Sequence, residues 1–134
     1  MKKKVIFACV HSAGRSQMSA AFFNDLVDPN KAFAVAAGTQ PAERVHPEVV
    51  EAMGELNIDL SRAKPQKLTH ELAQDASLLI TMGCGDECPY VPGLRRDDWM
   101  LKDPKGQSAD HVRVIRDDIR TRVAALLRAE GWAR

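Results

Sequence analysis

Short apolar runs alternate along this chain with longer segments in which apolar residues recur at helical spacing. The runs lie at residues 4–8, 32–37 and 78–82. Apolar runs of this length, without alternating polar residues, are typical of strands buried on both faces of a parallel sheet. A fourth and shorter strand is predicted around residues 98–101. The pattern therefore predicts a sheet whose central strands lie inside the molecule.

The segments between the runs predict helices. The first begins near Ser16 and ends near residues 28–29, the second runs over 47–56 with Asn57 as its stop, and a short third follows its N-cap Thr69 as far as Gln74. A long last helix is predicted over 109–130, because apolar residues repeat there at positions 112, 115, 119, 123, 126 and 127. Its other face is predicted to be solvated, with neighbouring ion pairs. That face carries Arg113, Arg116, Asp117, Asp118, Arg120 and Arg122.

Strands that alternate with helices predict an α/β fold with a parallel sheet. Ligands bind such sheets at the carboxyl ends of the strands. Cys9 follows the first predicted strand and Cys84 follows the third, so we expect both thiols at the same edge of the sheet.

Length, composition and charge narrow the class of protein. The chain has 134 residues, of which 45% are hydrophobic and 28% charged, which predicts a single domain over residues 1–134. A net charge of +1, without a basic cluster among aromatic residues, argues against nucleic acid as a partner. The basic start resembles a secretory signal, but its apolar run ends by residues 11–12 and favours a first strand instead. With no apolar stretch of membrane-spanning length, we expect a soluble, cytoplasmic protein that is not bound to a membrane.

The segment from Cys9 to Ser16 carries the strongest chemical signal. Small residues at positions 12–14 let the backbone curl tightly, so that successive N–H groups can bind a tetrahedral oxyanion at the start of the following helix. The same positive field favours the thiolate form of a cysteine, which is the nucleophile. Arg15 has the planar fork that holds two oxygens of such an anion. A Cys and an Arg six positions apart also occur by chance, but here the strand, the loop and the helix follow in the required order.

Two further cysteines, Cys84 and Cys88, lie in a predicted loop that is rich in Gly and Pro. They are interpreted in three ways: as ordinary surface thiols, as half of a zinc site, or as a redox pair. A zinc site normally has four ligands, and the second pair is missing from this sequence, so no metal is expected. Three cysteines are also too few for a disulfide scaffold. The redox interpretation explains more of the pattern.

Taken together, these residues closely resemble the thioredoxin-coupled arsenate reductases, which share the fold of the low-molecular-weight tyrosine phosphatases. The resemblance covers almost the whole chain. It is carried by the segment 9–18 and by residues 37–39, 46–47, 58–61, 81–84, 98–99 and 103–104. It implies a three-layer α/β/α fold around a four-stranded parallel sheet.

The resemblance also implies a role for each site residue. Cys9 would attack arsenate, Ser16 would stabilise its thiolate, and Asp103 would protonate the departing hydroxide. The oxyanion would be held by Val10, His11, Ser12, Ala13, Gly14 and Arg15. Cys84 would attack the Cys9 sulfur and release arsenite, and Cys88 would then form a disulfide with Cys84. Thioredoxin would supply the electrons, no cofactor would be tightly bound, and the chain would be a monomer.

Two departures from the family pattern concern Ser12, where Asn is usual, and the spacing of the last two cysteines, which is shorter than in the best-known relatives. Asn tolerates a left-handed backbone better than Ser does.

Two rival functions also remain. A tyrosine phosphatase would use the same loop, since phosphate or sulfate fits it as arsenate does. To bind a phenyl ring, however, a phosphatase would need aromatic side chains where this chain has residues 105–107. A module that only binds oxyanions or senses redox state would show no turnover.

Overall fold

Four parallel strands form the sheet in the computed structural model, which describes residues 2–82 and 93–134. The strands are β1 (Lys3–Cys9), β2 (Ala32–Gly38), β3 (Leu78–Thr81) and β4 (Arg95–Asp98). Their order is β2-β1-β3-β4, and each neighbouring pair is parallel. The chain leaves β1 toward β2 and later crosses back to β3 on the other side. The carboxyl end of β1 therefore lies at the point where the strand order reverses, which is where open α/β sheets bind their ligands.

The helices are α1 (Arg15–Leu26), α2 (Pro47–Gly54), α3 (His70–Ala73) and α4 (Ala109–Glu130). The Thr69 side chain caps α3 by accepting a hydrogen bond from the Leu72 amide, as predicted. The second helix ends two residues earlier than the sequence predicted. Asn57 then takes a left-handed backbone conformation with φ of 62°, which stops any continuation.

Two hydrophobic clusters cover the two faces of the sheet, which confirms the three layers. Alternate residues of β1 belong to each cluster: Phe7 packs with α1, α2 and α4, whereas Ile6 packs with Leu68 and α3. Both side chains are fully buried. Cys9 points to the same face as Phe7, because side chains two residues apart along a strand share a face.

The fourth strand lies earlier in the chain than predicted. The structure pairs Arg95–Asp98 with β3, and all four side chains of this edge strand are exposed. Trp99, which suggested a strand over 98–101, instead leaves the sheet and buries its ring 5.6 Å from that of Phe7. Leu101 also packs against the core whereas Met100 is 83% exposed, so residues 99–101 form a loop that covers the core with two of its three side chains.

Arg116 corrects the prediction for the polar face of the last helix. Its side chain is buried rather than solvated. The guanidinium donates to the Ala52 carbonyl at 2.9 Å and to the Glu55 carboxylate at 2.7 Å, both at the end of α2. The last turn of a helix leaves carbonyl groups without partners, and Arg116 supplies one of the donors that they need. None of the helices in the described ranges is long and apolar enough to cross a membrane.

Candidate active site

Cys9 is the last residue of β1, and its thiol is buried. The sulfur lies 3.2 Å from the hydroxyl oxygen of Ser16 in the first turn of α1. In the thiol form the S–H group donates to this hydroxyl, and in the thiolate form the hydroxyl donates to the sulfur. The structure thus brings together the two residues that the sequence analysis paired.

The backbone between Cys9 and α1 forms the oxyanion loop, residues 10–14, and its carbonyl groups are all hydrogen-bonded. Residues 39–46, which we call the strap, donate amide hydrogen bonds to the carbonyls of Cys9, Val10, His11 and Ala13. The side chain of Gln17 donates to the Ser12 carbonyl at 2.9 Å. Every carbonyl from Cys9 to Ala13 is therefore turned toward the strap or toward α1.

The amide groups of the same loop have no such partners. Among the described residues, none accepts a hydrogen bond from the amides of residues 11–14. Ser12, Ala13 and Gly14 are buried, and buried N–H groups are almost always paired in native structures. A cluster of unpaired donors at the start of a helix is the arrangement that binds an oxyanion.

Ser12 has a left-handed backbone conformation, with φ of 51°. This conformation costs a non-glycine residue about 1–2 kcal/mol. The contacts around Ser12 hold it in place: its carbonyl accepts from the buried Gln17 amide, and its hydroxyl lies 3.4 Å from the Ser16 hydroxyl. The sequence analysis had identified this position as one where backbone handedness matters.

Two glycines allow the surrounding segments to approach the loop. A Cβ atom on Gly38 would lie 2.5 Å from the Val10 carbonyl oxygen and 2.8 Å from the Ser12 nitrogen. A Cβ atom on Gly14 would lie 2.8 Å from the ring of Pro104. All three distances are shorter than real Cβ contacts, so a side chain at either position would displace the loop or its neighbour.

Arg15 connects the oxyanion loop to the Asp-Pro loop, residues 99–105. Its guanidinium donates to the Leu101 carbonyl at 3.2 Å and lies 3.9 Å from the Asp103 carboxylate. The other carboxylate oxygen of Asp103 accepts a hydrogen bond from the Lys105 amide at 3.0 Å. Asp103 is 44% exposed whereas Arg15 is 10% exposed, so the acid faces solvent and the cation lies inside.

His46 is a neighbour of the site that the sequence analysis named only within the pair 46–47, as part of the family resemblance. Its amide donates to the Ala13 carbonyl at 2.9 Å, and its ring centroid lies 6.5 Å from that of His11. Partial burial lowers the pKa of His46, and the carboxylates of Glu48 and Asp103 act in the opposite direction. Sequence alone assigned no role to its ring, because the environment of the ring is formed by segments remote in the chain.

Cys84 and Cys88 lie outside the described residues. The described part of β3 ends next to the candidate nucleophile, however. The amide of Met82 donates to the carbonyl of Ala8 at 2.7 Å, one residue before Cys9.

The family model for the low molecular weight phosphotyrosine protein phosphatases matches residues 4–131. The chain belongs to this family. This result confirms the resemblance that the sequence motifs carried, and it agrees with the parallel α/β sheet.

Within the phosphatase family, the chain is similar to proteins that carry arsenate reductase names. A Halobacterium salinarum protein with a provisional arsenate reductase name is 42% identical over 126 residues, 90% of this chain and 87% of that protein. A glutaredoxin arsenate reductase of Synechocystis sp. is 34% identical over 93% of this chain and 96% of its own length. The Corynebacterium glutamicum thioredoxin-dependent arsenate reductase has a TM-score of 0.82 at 34% identity, over 96% of this chain. This chain spans 61% of the length of the Corynebacterium chain.

Proposed function

We propose that this chain reduces arsenate to arsenite. The observation that carries the proposal is the group of amides at residues 11–14, which have no acceptor among the described residues and follow the buried thiol of Cys9. Such a pocket binds a tetrahedral oxyanion beside a nucleophile. The names of the relatives select arsenate among the oxyanions of this shape.

In the first step, the Cys9 thiolate attacks arsenic and forms a sulfur–arsenic bond. Arg15 and the loop amides hold the oxyanion, and the Ser16 hydroxyl donates to the thiolate. The hydroxyl group of the monoprotonated arsenate leaves as water after accepting one proton from Asp103. The exposure of Asp103 suits a group that exchanges protons with solvent, and its distance of 3.9 Å from Arg15 places it at the edge of the pocket.

In the second step, the Cys84 thiolate attacks the Cys9 sulfur. The electron pair of the sulfur–arsenic bond passes to arsenic, which leaves as arsenite, and a disulfide joins Cys9 to Cys84. Cys88 then attacks Cys84, which frees Cys9 and leaves a disulfide between Cys84 and Cys88. Support for this relay comes from Met82, which brings the chain beside Cys9 immediately before the segment that contains both thiols.

The reductant of the final disulfide is proposed to be thioredoxin. Two relatives of equal identity differ on this point, because one is named for glutaredoxin and the other for thioredoxin. The presence of Cys88 favours thioredoxin as the reductant. A third thiol transfers the disulfide away from the buried Cys9, so that a protein partner can reduce it. A mixed disulfide between Cys9 and a small thiol would not need Cys88.

A second candidate function is hydrolysis of phosphotyrosine through a cysteinyl-phosphate. The family to which the chain belongs favours it, and the unpaired amides bind phosphate as well as arsenate. Residues 105–107, Lys-Gly-Gln, lack the aromatic side chains that would hold a phenyl ring. We therefore expect phosphatase activity to be a weak side reaction of the same loop.

Coupled NADPH oxidation tests these alternatives. The chain is incubated with thioredoxin and thioredoxin reductase, or with glutathione, glutaredoxin and glutathione reductase, each with and without arsenate. Arsenate-dependent NADPH oxidation with thioredoxin, absent in Cys9→Ser, is the expected result. Faster hydrolysis of p-nitrophenyl phosphate than reduction of arsenate would favour the phosphatase instead. Oxyanion binding without either activity would contradict both enzymes.

A further inference from the structure

The imidazole of His46 lies beside the oxyanion loop, and the described part of the chain shows no hydrogen bond that holds it there. The backbone of His46 begins α2 and donates to the Ala13 carbonyl, but its side chain caps no amide of the helix. Among the described residues, no hydrogen-bond partner of the ring is found. The ring lies against Gly14, with its Cδ2 atom 3.5 Å from the position that a Cβ on Gly14 would occupy.

The charged and titratable groups that face this ring come from three elements. Glu48 belongs to the first turn of α2, Asp103 and Lys105 belong to the Asp-Pro loop, and His11 belongs to the oxyanion loop. The ring is half-buried, and burial is the largest influence on its pKa, which it lowers. Glu48 and Asp103 act to raise that pKa, whereas Lys105 and His11 act to lower it. Without a further negative charge beside the ring, partial burial therefore disfavours the imidazolium form of His46.

We propose that His46 takes up a proton from solvent when a doubly charged oxyanion enters the loop, and that the resulting imidazolium strengthens binding. This proposal rests on the oxyanion site of the proposed function. It makes His46 a binding residue of that site, and it predicts that oxyanion affinity rises as the pH falls.

The physical reason is thermodynamic linkage. Two negative charges beside the ring compensate the cost of holding an imidazolium in a half-buried position. If a bound oxyanion raises the affinity of His46 for a proton by some factor, protonation of His46 must raise the affinity of the loop for the oxyanion by the same factor. In partly buried surroundings, the single positive charge of the imidazolium should change the affinity for the oxyanion by about tenfold.

The test uses sulfate, because this probe keeps its double charge throughout the pH range of interest. Titration calorimetry is carried out on Cys9→Ser, which removes the titrating thiol, and on the same chain with His46→Asn added. In Cys9→Ser we expect sulfate to bind about tenfold more tightly near pH 5.5 than near pH 8. Two buffers of different ionisation enthalpy should show that protons are taken up on binding.

In Cys9→Ser/His46→Asn, both the proton uptake and the pH dependence should be lost. Asn is a favourable residue at a helix N-cap, so α2 should keep its start, and thermal unfolding checks this. The matched control is Cys9→Ser/His111→Asn, since His111 is an exposed histidine on α4. This control should behave like Cys9→Ser.

Three results would overturn the proposal. The first is unchanged proton uptake in the His46→Asn chain. The second is loss of uptake only with His11→Asn, which would make His11 the titrating group. The third is absence of sulfate binding in every chain, which would overturn the oxyanion site as well. Linked sulfate binding in a protein that fails to reduce arsenate would support His46 and contradict the reductase function alone.

Discussion

At the scale of single residues, the site requires two positions without a Cβ atom as well as particular side chains. Gly38 and Gly14 lie where the strap and the Asp-Pro loop meet the oxyanion loop, and neither position has room for a methyl group. Ser12 takes the left-handed conformation that its neighbours impose. These constraints hold the loop amides in place before any ligand arrives, so binding requires little reorganisation.

Replacing Gly38 with Ala should disturb the loop. The new methyl group would meet backbone atoms of Val10 and Ser12, which cannot rotate away as a side chain can, at a cost of about 1–3 kcal/mol. We expect Gly38→Ala to lower kcat/KM for arsenate by roughly tenfold or more, since small displacements of a reacting group are costly. Steady-state kinetics and thermal unfolding measure the two effects.

The control is Gly54→Ala in α2, where an added Cβ meets no atom within 4 Å. Alanine is favoured over glycine in a helix by roughly 0.5–1 kcal/mol, so this variant should keep its activity and unfold at a slightly higher temperature. If Gly38→Ala proved as active and as stable as Gly54→Ala, the close packing of the strap on the loop would not be needed for activity.

Arg15→Lys tests the guanidinium fork. A lysine ammonium cannot hold two arsenate oxygens and the Leu101 carbonyl together, and a hydrogen bond to a charged group contributes about 1.5–3 kcal/mol. KM for arsenate should therefore rise and kcat should fall, with a loss of at least about tenfold in kcat/KM. Arg122→Lys, on the α4 surface where Arg122 pairs with Asp118, should leave both parameters unchanged. Equal kinetics for the two variants would argue against bidentate binding.

At the scale of elements, one ion-pair network holds α4 against the end of α2. Glu55 accepts hydrogen bonds from Arg116 at 2.7 Å and from Arg113 at 2.7 Å. Arg116 also donates to the Ala52 carbonyl, so the network closes the last turn of α2. Because α2 begins at His46 beside the oxyanion loop, this network fixes the far end of an element that borders the site.

The network should make stability depend on pH. Hydrogen bonds from Arg113 and Arg116 lower the pKa of Glu55 to about 2 from its ordinary value of 4.5. A lowered carboxylate pKa stabilises the fold fully above pH 4.5, and this contribution is lost as the pH falls toward about 2. We expect Glu55→Gln to lower Tm by roughly 2–5 °C at neutral pH, and the difference should vanish near pH 2.

The matched control for Glu55→Gln is Glu51→Gln, one turn earlier on α2, where no ion pair is found among the described residues. Its Tm should follow that of the unmodified chain across the pH range. A difference between Glu55→Gln and the unmodified chain that persisted unchanged at low pH would show that packing, rather than charge, is responsible.

At the scale of the whole molecule, the sheet order assembles the site from segments that are far apart in sequence. The oxyanion loop follows β1, the strap follows β2, and the Asp-Pro loop follows β4. Parallel pairing brings the carboxyl ends of these strands to one edge. The third strand ends at the same edge, beside Ala8, and the chain continues from there toward Cys84 and Cys88.

The proposed relay predicts that Cys88→Ser keeps a single turnover but loses continuous turnover. The variant should still release one arsenite per chain, because Cys9 and Cys84 suffice for that step, but thioredoxin should not sustain steady-state reduction. Quenched single-turnover assays and NADPH oxidation measure the two quantities. Cys9→Ser is the control that should lose both. Full steady-state activity of Cys88→Ser with thioredoxin would remove Cys88 from the mechanism.

The sequence by itself determined the local elements and the family. Apolar runs predicted β1, β2 and β3, and the spacing of residues 112–127 predicted α4 with the bounds that the structure has. These signals are local, because a strand or helix that faces a core must show its period in sequence. The motif from Cys9 to Ser16 likewise predicted a loop between β1 and α1 as the candidate oxyanion site, since strand, loop and helix are consecutive.

Only the tertiary structure decided which remote groups meet that loop. The strap satisfies the loop carbonyls and leaves the amides unpaired, His46 comes to lie against Gly14, and the Asp-Pro loop places Asp103 near Arg15. Tertiary contacts also bury Arg116, although the sequence predicted a solvated face for it. They place β4 at Arg95–Asp98, where all four side chains are exposed, rather than at residues 98–101. Such outcomes depend on which elements pack together, and no periodicity within one element encodes the partner that it will meet.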